Sequence, residues 1–268
     1  MDKVVILARG LGTRMRKVDD RAALTREQRK MAEIGVKAMI PIDRPFLDYV
    51  ISSLAEAGFK RVCLVIGPEH DAVRNYYSRL DSKRVTIDFA IQEKPLGTAD
   101  AVAAAEEFAG DDNFVVINSD NYYPPEALAA LKKLDSAGLV GFEREAMLKG
   151  SNIEPERIAK FAIIEMDDEG TMKRILEKPT PEQLAAAREP ICLSMNCWRF
   201  TKTIFEACRH IEPSARGELE VPDAVQYAID RLGERFKVAV IKATVLDMSS
   251  RKDVGPIVER LAGMEAPL

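Results

Sequence analysis

The sequence predicts an α/β protein built on a mixed, mainly parallel sheet flanked by helices. Up to about residue 138, short β-branched runs alternate with helical patterns. This alternation implies parallel strands joined by crossover helices. After Gly138 the chain becomes rich in strand patterns and contains a hairpin signal, which adds an antiparallel part.

The first half supplies strands and helices in turn. The predicted strands are apolar runs at residues 4–8, 62–66, 85–91 and 114–118. Between them, apolar side chains repeat at helical spacing at Leu47, Val50, Ile51 and Leu54, and again at Val73, Tyr76, Tyr77 and Leu80. Each set forms one apolar stripe, as expected for a helix that packs against a sheet.

The second half continues the same sheet. Strand patterns cover residues 139–143, 161–166, 173–178, 194–200 and 238–243, and helical patterns cover 201–208 and 222–232. The turn Asp167-Asp168-Glu169-Gly170 separates two of these strands and predicts the hairpin. Because neither a repeat nor a linker interrupts the chain, we expect one domain, 1–268, whose halves 1–138 and 139–268 share one sheet.

Composition excludes several classes of function. The chain of 268 residues has a net charge of −4 with basic and acidic residues interspersed, so we expect no nucleic-acid partner. Its four cysteines lack the spacing of metal ligands, which favours free thiols in a reducing compartment. With no leader pattern and no apolar run long enough to cross a bilayer, we expect a cytoplasmic protein without a membrane partner.

A glycine-rich turn, Gly10-Leu11-Gly12, follows the first strand pattern. Such a turn exposes backbone N–H groups to an anion, which suggests phosphate binding. Met15 stands where the dinucleotide fingerprint has its third glycine, and no Gly-Lys-Ser/Thr motif is present. Taken alone, the turn is equally consistent with a simple strand-to-helix connection.

Further motifs decide between these interpretations. They are Gly10-Leu11-Gly12-Thr13-Arg14, Lys37-Ala38-Met39-Ile40-Pro41-Ile42, Pro45-Phe46-Leu47-Asp48, Gln92-Glu93-Lys94-Pro95-Leu96-Gly97-Thr98-Ala99, Asn118-Ser119-Asp120-Asn121, Glu177-Lys178-Pro179 and Val245-Leu246-Asp247-Met248. In this order, from residue 3 to about 254, they resemble the sugar-1-phosphate nucleotidylyltransferases, particularly those of the glucose-1-phosphate thymidylyltransferase and uridylyltransferase type.

The resemblance implies a Rossmann-like fold, that of the nucleotide-diphospho-sugar transferases, and a reaction. A nucleoside triphosphate and a sugar 1-phosphate would give a nucleotide sugar and pyrophosphate. UTP or dTTP is favoured because Gln92 and Gly97 match the positions that bind a pyrimidine edge, but residues 97–102 also resemble relatives that use adenine or guanine nucleotides, so the base stays open. Such a displacement needs positioning and charge stabilisation, and no covalent intermediate.

The resemblance also assigns the nucleotide half, 1–138. Arg14, Lys37 and Asp120 match catalytic positions, the two cations being phosphate-handling groups. The positions that match nucleotide contacts are Leu7, Ala8, Arg9, Gly10, Gly12, Thr13, Gln92, Gly97, Thr98 and Ser119. Arg9 departs from the small residue usual there, so its side chain either points away or adds a contact.

Two carboxylates match the metal position. Asp120 follows the apolar run 114–117, at a strand's carboxyl end where open α/β sheets bind ligands, and Asp247 ends another apolar stretch. Mg²⁺ prefers oxygen ligands and completes its shell with phosphate and water, so the implied cofactor is Mg²⁺. A polar turn at Asp120 and a helix cap at Asp247 are the structural alternatives.

The sugar-phosphate half, 139–268, is implied to act through Ala162, Glu177, Lys178 and Asn196. Ala162 replaces the usual glycine, and Ser194-Met195-Asn196-Cys197-Trp198 replaces the usual Asn-x-Gly-Ile-Tyr, so the sugar is not assigned. Gly217-Glu218-Leu219-Glu220 resembles another edge of this pocket, although Glu220 equally suits the start of a helix.

Several features leave alternatives open. The spacer 15–36 is long and carries a capping box at Thr25, which predicts a short helix that would alter the position of Lys37 or act as a flap. With the altered sugar segment, it motivates a second hypothesis, a non-catalytic relative that binds nucleotide sugars. A glycosyltransferase would need an Asp-x-Asp motif, which Asp120-Asn121-Tyr122 lacks.

The remaining candidates favour structural roles. His70 and His210 lack metal-spaced partners, and Trp198 lies in a strand pattern that favours core packing. The sequence leaves the oligomeric state open, a homo-oligomer included.

Overall fold

The structure is a computed structural model that describes residues 1–19 and 21–268. Its strands are β1 (Lys3–Leu7), β2 (Arg61–Ile66), β3 (Thr86–Ile91), β4 (Phe114–Asn118), β5 (Asn121–Tyr122), β6 (Ala137–Glu143), β7 (Ile163–Met166), β8 (Met172–Leu176), β9 (Cys192–Phe200), β10 (Phe236–Ile241) and β11 (Leu246–Asp247).

Helices connect these strands and cover both faces of the sheet. They are α1 (Thr13–Arg16), α2 (Arg26–Ile34), α3 (Phe46–Glu56), α4 (Asp71–Arg79), α5 (Thr98–Ala103), α6 (Glu106–Ala109), α7 (Pro125–Lys133), α8 (Arg144–Gly150), α9 (Pro155–Ile158), α10 (Pro181–Ala186), α11 (Thr203–His210), α12 (Val221–Leu232) and α13 (Arg251–Leu261), with a 3₁₀ turn at Lys37–Met39. Within the described residues, no helix is long and apolar enough to cross a bilayer.

The main sheet runs in the order β10-β6-β9-β4-β1-β2-β3. The pairs β10/β6, β4/β1, β1/β2 and β2/β3 are parallel, whereas β9 is antiparallel to both β4 and β6. The β7–β8 hairpin joins the sheet through β9. The mixed, mainly parallel sheet predicted from the sequence is therefore confirmed, and β9 connects its two halves.

The core lies on both faces of this sheet because side chains alternate along each strand. Val4 and Ile6 of β1 face one apolar cluster, which includes helices α3 and α13, and Val5 faces the other, which includes α5, α11 and α12. Trp198 is 1% exposed and stacks on Phe200, which confirms its predicted role in the core.

The predicted hairpin is confirmed, but its strands are shorter than the sequence suggests. A strand is predicted from residue 161, whereas Phe161 still donates its N–H to the carbonyl of Ile158 as part of the turn after α9. A strand is also predicted through Lys178, whereas β8 ends at Leu176 and Lys178 has a φ of 46°. This left-handed backbone takes residue 178 out of the sheet.

The helix predicted in the long spacer is confirmed as α2. The N–H of Gln28 donates to Thr25 Oγ1 at 3.2 Å and the N–H of Thr25 donates to Gln28 Oε1 at 3.0 Å, so both halves of the capping box form. Gln28 Nε2 also donates to the carbonyl of Pro41 at 2.9 Å. The spacer is thereby fixed beside the segment that follows Lys37.

The cysteines agree with the expectation of free thiols. Cys63, Cys192, Cys197 and Cys208 are all buried and unpaired with one another. Burial raises the pKa of the Cys63 thiol to about 12, so that thiol stays neutral at physiological pH.

Candidate active site

One cleft opens where strands β1, β3 and β4 end at their carboxyl termini. This is the edge at which open α/β sheets bind ligands. The predicted residues that line it are Leu7, Ala8, Arg9, Gly10, Lys37, Gln92, Gly97, Thr98, Ser119 and Asp120. We call it the nucleotide cleft.

The glycine turn lies at the mouth of this cleft, but only part of it faces inward. Gly10 lines the cleft, whereas Gly12 and Thr13 do not. Gly12 has a φ of 61°, and a Cβ on it would lie 2.7 Å from Gly35 Cα at the end of α2. In this structure Gly12 is therefore required for close packing of the turn against α2.

Arg9 is buried and its guanidinium is held by the protein. Nη1 donates to the backbone carbonyl of Gln92, while Nε and Nη2 donate to the carboxylate of Glu69 at 3.3–3.4 Å. Arg9 thus lines the cleft while linking the segments that follow β1, β2 and β3.

Gln92 and the 96–99 loop form the far wall of the cleft. The buried side chain of Gln92 donates through Nε2 to Gly97 O at 2.9 Å and to Asp100 Oδ2 at 2.7 Å. Thr98 Oγ1 accepts the N–H of Val221 at 2.9 Å, which connects this wall to the start of α12. Glu220 is the N-cap of that helix, which confirms the interpretation that this residue begins a helix.

Lys37 and Asp120 meet in the cleft. Lys37 Nζ lies 2.6 Å from Asp120 Oδ2, and their side chains are 14% and 24% exposed. The long spacer therefore leaves Lys37 in contact with Asp120, one of the other predicted catalytic residues.

A second pocket adjoins the nucleotide cleft and shares Asn118 and Asp120 with it. We call it the sugar pocket, after the residues predicted for that substrate. The predicted residues that line it are Arg14, Asp120, Ala162, Glu177, Asn196 and Asp247. Asp120 thus stands between the two pockets.

Asp247 is brought beside Asp120 by a small ribbon. Strand β11 pairs with β5 so that Asp247 is opposite Asn121, and the N–H of Met248 donates to the carbonyl of Asp120 at 2.8 Å. Asn152 adds a two-point clamp on the backbone of Asp247, donating to its carbonyl and accepting from its N–H at 2.9 Å each. The two carboxylates therefore have fixed backbones.

The carboxylate of Asp247 is buried among donors. It accepts from Asn121 Nδ2 at 3.0 Å and Ser249 Oγ at 2.7 Å, and it forms a salt bridge with Arg157. Burial, and then the charge of Asp120, raise the pKa of Asp247. Both carboxylates line the sugar pocket. Arg157 also bonds Asp253 Oδ1 at 3.0 Å.

Glu177 and Lys178 differ in their placement. Glu177 lines the sugar pocket, whereas Lys178 lines neither pocket. Although Glu177 is exposed at the rim, partial desolvation by the pocket walls and then the charge of Glu220 raise the pKa of its carboxyl. Asn196 has a φ of 53° in β9, beside an irregularity in the β6–β9 register.

The sequence model of the family described as nucleotidyl transferase matches residues 3–255. The chain belongs to this family.

Two curated relatives show how this nucleotidyl transferase compares with characterised chains. It is 29% identical to a low-salt glycan biosynthesis nucleotidyltransferase, Agl11, of Haloferax volcanii, over 85% of its own length and 59% of the relative's. It is also 29% identical to a glucose-1-phosphate thymidylyltransferase of Streptomyces antibioticus, over 94% of its own length and 64% of the relative's. The chain thus spans about three-fifths of the length of these relatives.

A solved structure agrees with the fold of this nucleotidyl transferase. A UDP-glucose pyrophosphorylase complexed with UDP-glucose superposes with a TM-score of 0.74, covering 99% of this chain and 100% of that one at 20% identity. The fold of the nucleotide-diphospho-sugar transferases, which the sequence predicts, is thus confirmed.

Sequence reasoning missed several residues of this nucleotidyl transferase's two pockets. They are Leu11, Val36, Ala38, Pro95, Ala101 and Glu218 in the cleft, Asn118 in both, and Asn121, Arg157, Lys160, Phe161, Ser194, Met195 and Ser249 in the sugar pocket. Glu218 and Ser194 belong to segments that the sequence singles out. Nothing in the sequence links Arg157 to Asp247, because a long-range ion pair leaves no local pattern.

Proposed function

We propose that this chain is a sugar-1-phosphate nucleotidylyltransferase that joins a nucleoside triphosphate, with UTP or dTTP favoured, to a sugar 1-phosphate and releases pyrophosphate. The observation that carries the proposal is the junction of two pockets at Asp120 and Asn118. Two substrates that must react with each other need adjoining sites, and their positioning supplies a large part of the rate enhancement.

The protein's own groups suit an in-line displacement. An oxygen of the sugar phosphate attacks the α-phosphorus while pyrophosphate leaves, so negative charge shifts onto the leaving group. Lys37 lies in the nucleotide cleft and Arg14 in the adjoining pocket, where their charges stabilise the phosphates on either side of the junction. Leu7, Ala8 and Gly10 supply backbone groups along the first wall of the cleft.

The proposed cofactor is Mg²⁺, held by Asp120 and Asp247. Carboxylate oxygens are the ligands that Mg²⁺ prefers, and Asp120 and Asp247 both line the sugar pocket. Among residues 1–19 and 21–268, no group of three or more His, Cys, Asp or Glu side chains is arranged to hold a metal, which suits an ion that takes its other ligands from phosphate and water. When bound, Mg²⁺ supplies charge stabilisation for the reacting phosphates.

The sugar pocket supplies the second substrate site in this proposal. Glu177 accepts hydrogen bonds from sugar hydroxyls, and Ala162 and Asn196 form the wall beside the ring. Lys178, which does not line the pocket in this structure, is the proposed cation for the sugar phosphate. The proposed location is the cytoplasm, in keeping with four buried free thiols.

The test is a matrix of nucleoside triphosphates against sugar 1-phosphates, with pyrophosphate release as the measured quantity. We expect release only when a triphosphate, a sugar 1-phosphate and Mg²⁺ are all present. Nucleotide-sugar binding by calorimetry without release across the matrix would favour the non-catalytic alternative instead. Transfer of sugar from a nucleotide sugar to an acceptor would indicate a glycosyltransferase.

A further inference from the structure

The amide of Gln92 has one orientation in the nucleotide cleft. Its Nε2 lies between the carbonyl oxygen of Gly97, at 2.9 Å, and the Asp100 carboxylate, at 2.7 Å. Both partners accept hydrogen bonds and neither donates one, so the atom between them must be the amide nitrogen. Turning the amide over would place two acceptors against its oxygen.

The remaining atom, Gln92 Oε1, faces the open cleft. Among the described residues, Oε1 has no hydrogen-bond partner. It is not one of the fully buried atoms without a partner, so it is accessible to solvent or to a ligand. Since Gln92 is only 4% exposed and lines the cleft, the accessible oxygen is open to the cleft itself. With both N–H groups occupied, Gln92 offers a ligand an acceptor and no donor.

The backbone of Gln92 is fixed as well. Its N–H donates to the carbonyl of Ile66 at 2.9 Å, and its own carbonyl accepts from Arg9 Nη1. The residue therefore presents Oε1 from a rigid base. The N–H of Gly97 has no acceptor in the described part of the chain, so a donor stands beside this acceptor on the same wall.

We propose that Asp100 is a specificity-determining positioning residue: by holding Gln92 Nε2 it keeps the amide oxygen towards the nucleobase and so selects bases with a ring N–H beside a carbonyl. Uracil, thymine and guanine present that pair of groups, whereas adenine and cytosine present an unprotonated ring nitrogen, which repels an acceptor. The inference rests on the proposed function and deepens it, because it gives a physical reason to favour UTP or dTTP over CTP and ATP.

The test is Asp100→Asn with nucleotide dissociation constants measured by calorimetry in the absence of sugar phosphate. An asparagine amide is able either to accept from Gln92 Nε2 or to donate to Gln92 Oε1, so it no longer fixes the orientation, and a Gln92 amide that turns over offers N–H groups to the base. We expect the ratio of UTP to ATP affinity to fall by about tenfold to a hundredfold, the range for a hydrogen bond to a charged group. CTP serves as a further ligand, since cytosine differs from uracil at the edge that carries the ring nitrogen.

The matched control is Asp230→Asn. Gln226 Nε2 donates to Asp230 Oδ1 at 3.0 Å on the exposed face of α12, so this variant removes the same type of pair away from the cleft. We expect its nucleotide preference to equal that of the unmodified chain. Asp100→Glu, which retains a carboxylate, should restore much of the preference for UTP.

If Asp100→Asn does not fold, Asp100→Ala tests the same contact, because Gln92 Nε2 then keeps only the Gly97 carbonyl as acceptor. A folded Asp100 variant with an unchanged ratio of UTP to ATP affinity overturns the inference. So does an unmodified chain that binds ATP or CTP as tightly as UTP, or that binds no nucleotide. Selective nucleotide binding that depends on Asp100, without pyrophosphate release, would overturn the proposed function while leaving this inference intact.

Discussion

Lys37 and Asp120 form a salt bridge inside the nucleotide cleft, with Nζ 2.6 Å from Oδ2. The same carboxylate is the proposed metal ligand at the junction of the two pockets. In the proposed function Mg²⁺ and Lys37 would compete for this carboxylate, and bound metal would leave the lysine available to contact phosphate. In the metal-free protein the lysine compensates the charge of a partly buried carboxylate.

Asp120→Asn is expected to lower turnover by at least about a hundredfold to a thousandfold, the scale for loss of one charge-stabilising group in an active site. An amide is a weaker ligand for Mg²⁺ than a carboxylate, so the loss should appear in kcat for pyrophosphate release. The control is Asp111→Asn, which breaks an exposed pair with Lys202 at 2.8 Å. Activity retained by the Asp120 variant would remove Asp120 from the metal site.

Arg157→Met is expected to strengthen the binding of Mn²⁺, a paramagnetic substitute for Mg²⁺, in the absence of nucleotide. Arg157 neutralises Asp247 and Asp253 in the free protein, so its removal leaves more negative potential at the metal position. We expect roughly tenfold tighter binding by electron paramagnetic resonance titration.

The same variant should be less stable to urea by about 3–5 kcal/mol, because a largely buried ion pair loses one partner. Arg174→Met is the matched control, since its pair with Glu165 is exposed and lies outside both pockets. Unchanged Mn²⁺ affinity in Arg157→Met would show that this guanidinium does not compete with the metal.

Arg9→Ala is expected to lower stability by about 1–2 kcal/mol while changing UTP affinity less than about threefold. The N–H groups of the guanidinium donate to Glu69 and to the Gln92 carbonyl, so Arg9 links protein segments. Few of its N–H groups remain to contact the nucleotide. A double-mutant cycle with Glu69→Ala separates the two contacts. A large loss of UTP affinity in Arg9→Ala, at unchanged stability, would assign Arg9 a direct contact.

Gly97→Ala is expected to destabilise the wall of the nucleotide cleft. Gly97 has a φ of 127°, and an added Cβ would clash with the backbone of Leu219. The hydrogen bonds Leu219 N–H to Leu96 O, at 2.7 Å, and Ala99 N–H to Leu219 O, at 2.9 Å, would break. We expect a loss of at least about 3 kcal/mol and a higher KM for the triphosphate.

Gly110→Ala is the control for the effect of backbone strain alone. Gly110 has a φ of 59° and a ψ of −133°, and no atom lies within 4 Å of an added Cβ, so its substitution should cost only the backbone strain, about 1–3 kcal/mol. Equal melting temperatures for the two variants would mean that the contact between Gly97 and Leu219 does not hold the wall in place.

The affinity for sugar 1-phosphate should depend on the ionisation of Glu177. Desolvation and then the charge of Glu220 raise the pKa of this carboxyl, so it becomes protonated at a higher pH than an exposed glutamate. As the pH falls through this raised pKa, the acceptor for the sugar hydroxyls is lost and KM for the sugar phosphate rises, approaching about tenfold per pH unit. In Glu177→Gln, the pH dependence of KM that comes from this carboxyl should disappear, and the dependence that comes from ionisation of the substrate's phosphate should remain.

The fold was predictable from the sequence because the strand patterns are strong and local. Residues 4–8 and 114–118 differ from the observed strands β1 and β4 by at most one residue at either end. The short strands β5 and β11 were not predicted, because two residues carry no periodicity. Yet this pair is what brings Asp120 and Asp247 together.

Residues of the candidate site that belong to a sequence motif could be predicted. Residues that reach the site from distant segments of the chain could not. Gln92 and Lys37 were found by their motifs, whereas Asn152 and Arg157 act on Asp247 from about 90 residues away. Lys178 was placed by its motif, but its left-handed backbone keeps it outside both pockets in this structure. No local pattern specifies such contacts, since tertiary packing determines them.

Strand β9 has a consequence for how the chain folds as it is synthesised. It separates β4 from β6, but it begins only at Cys192, long after both of these strands have left the ribosome. At a synthesis rate of about 5–20 residues per second, β9 is made on the order of ten seconds after β4. During that time the facing edges of β4 and β6 remain unpaired, and the other edge of β6 waits still longer for β10, so we expect nascent chains to be exposed to wrong strand pairing over this interval.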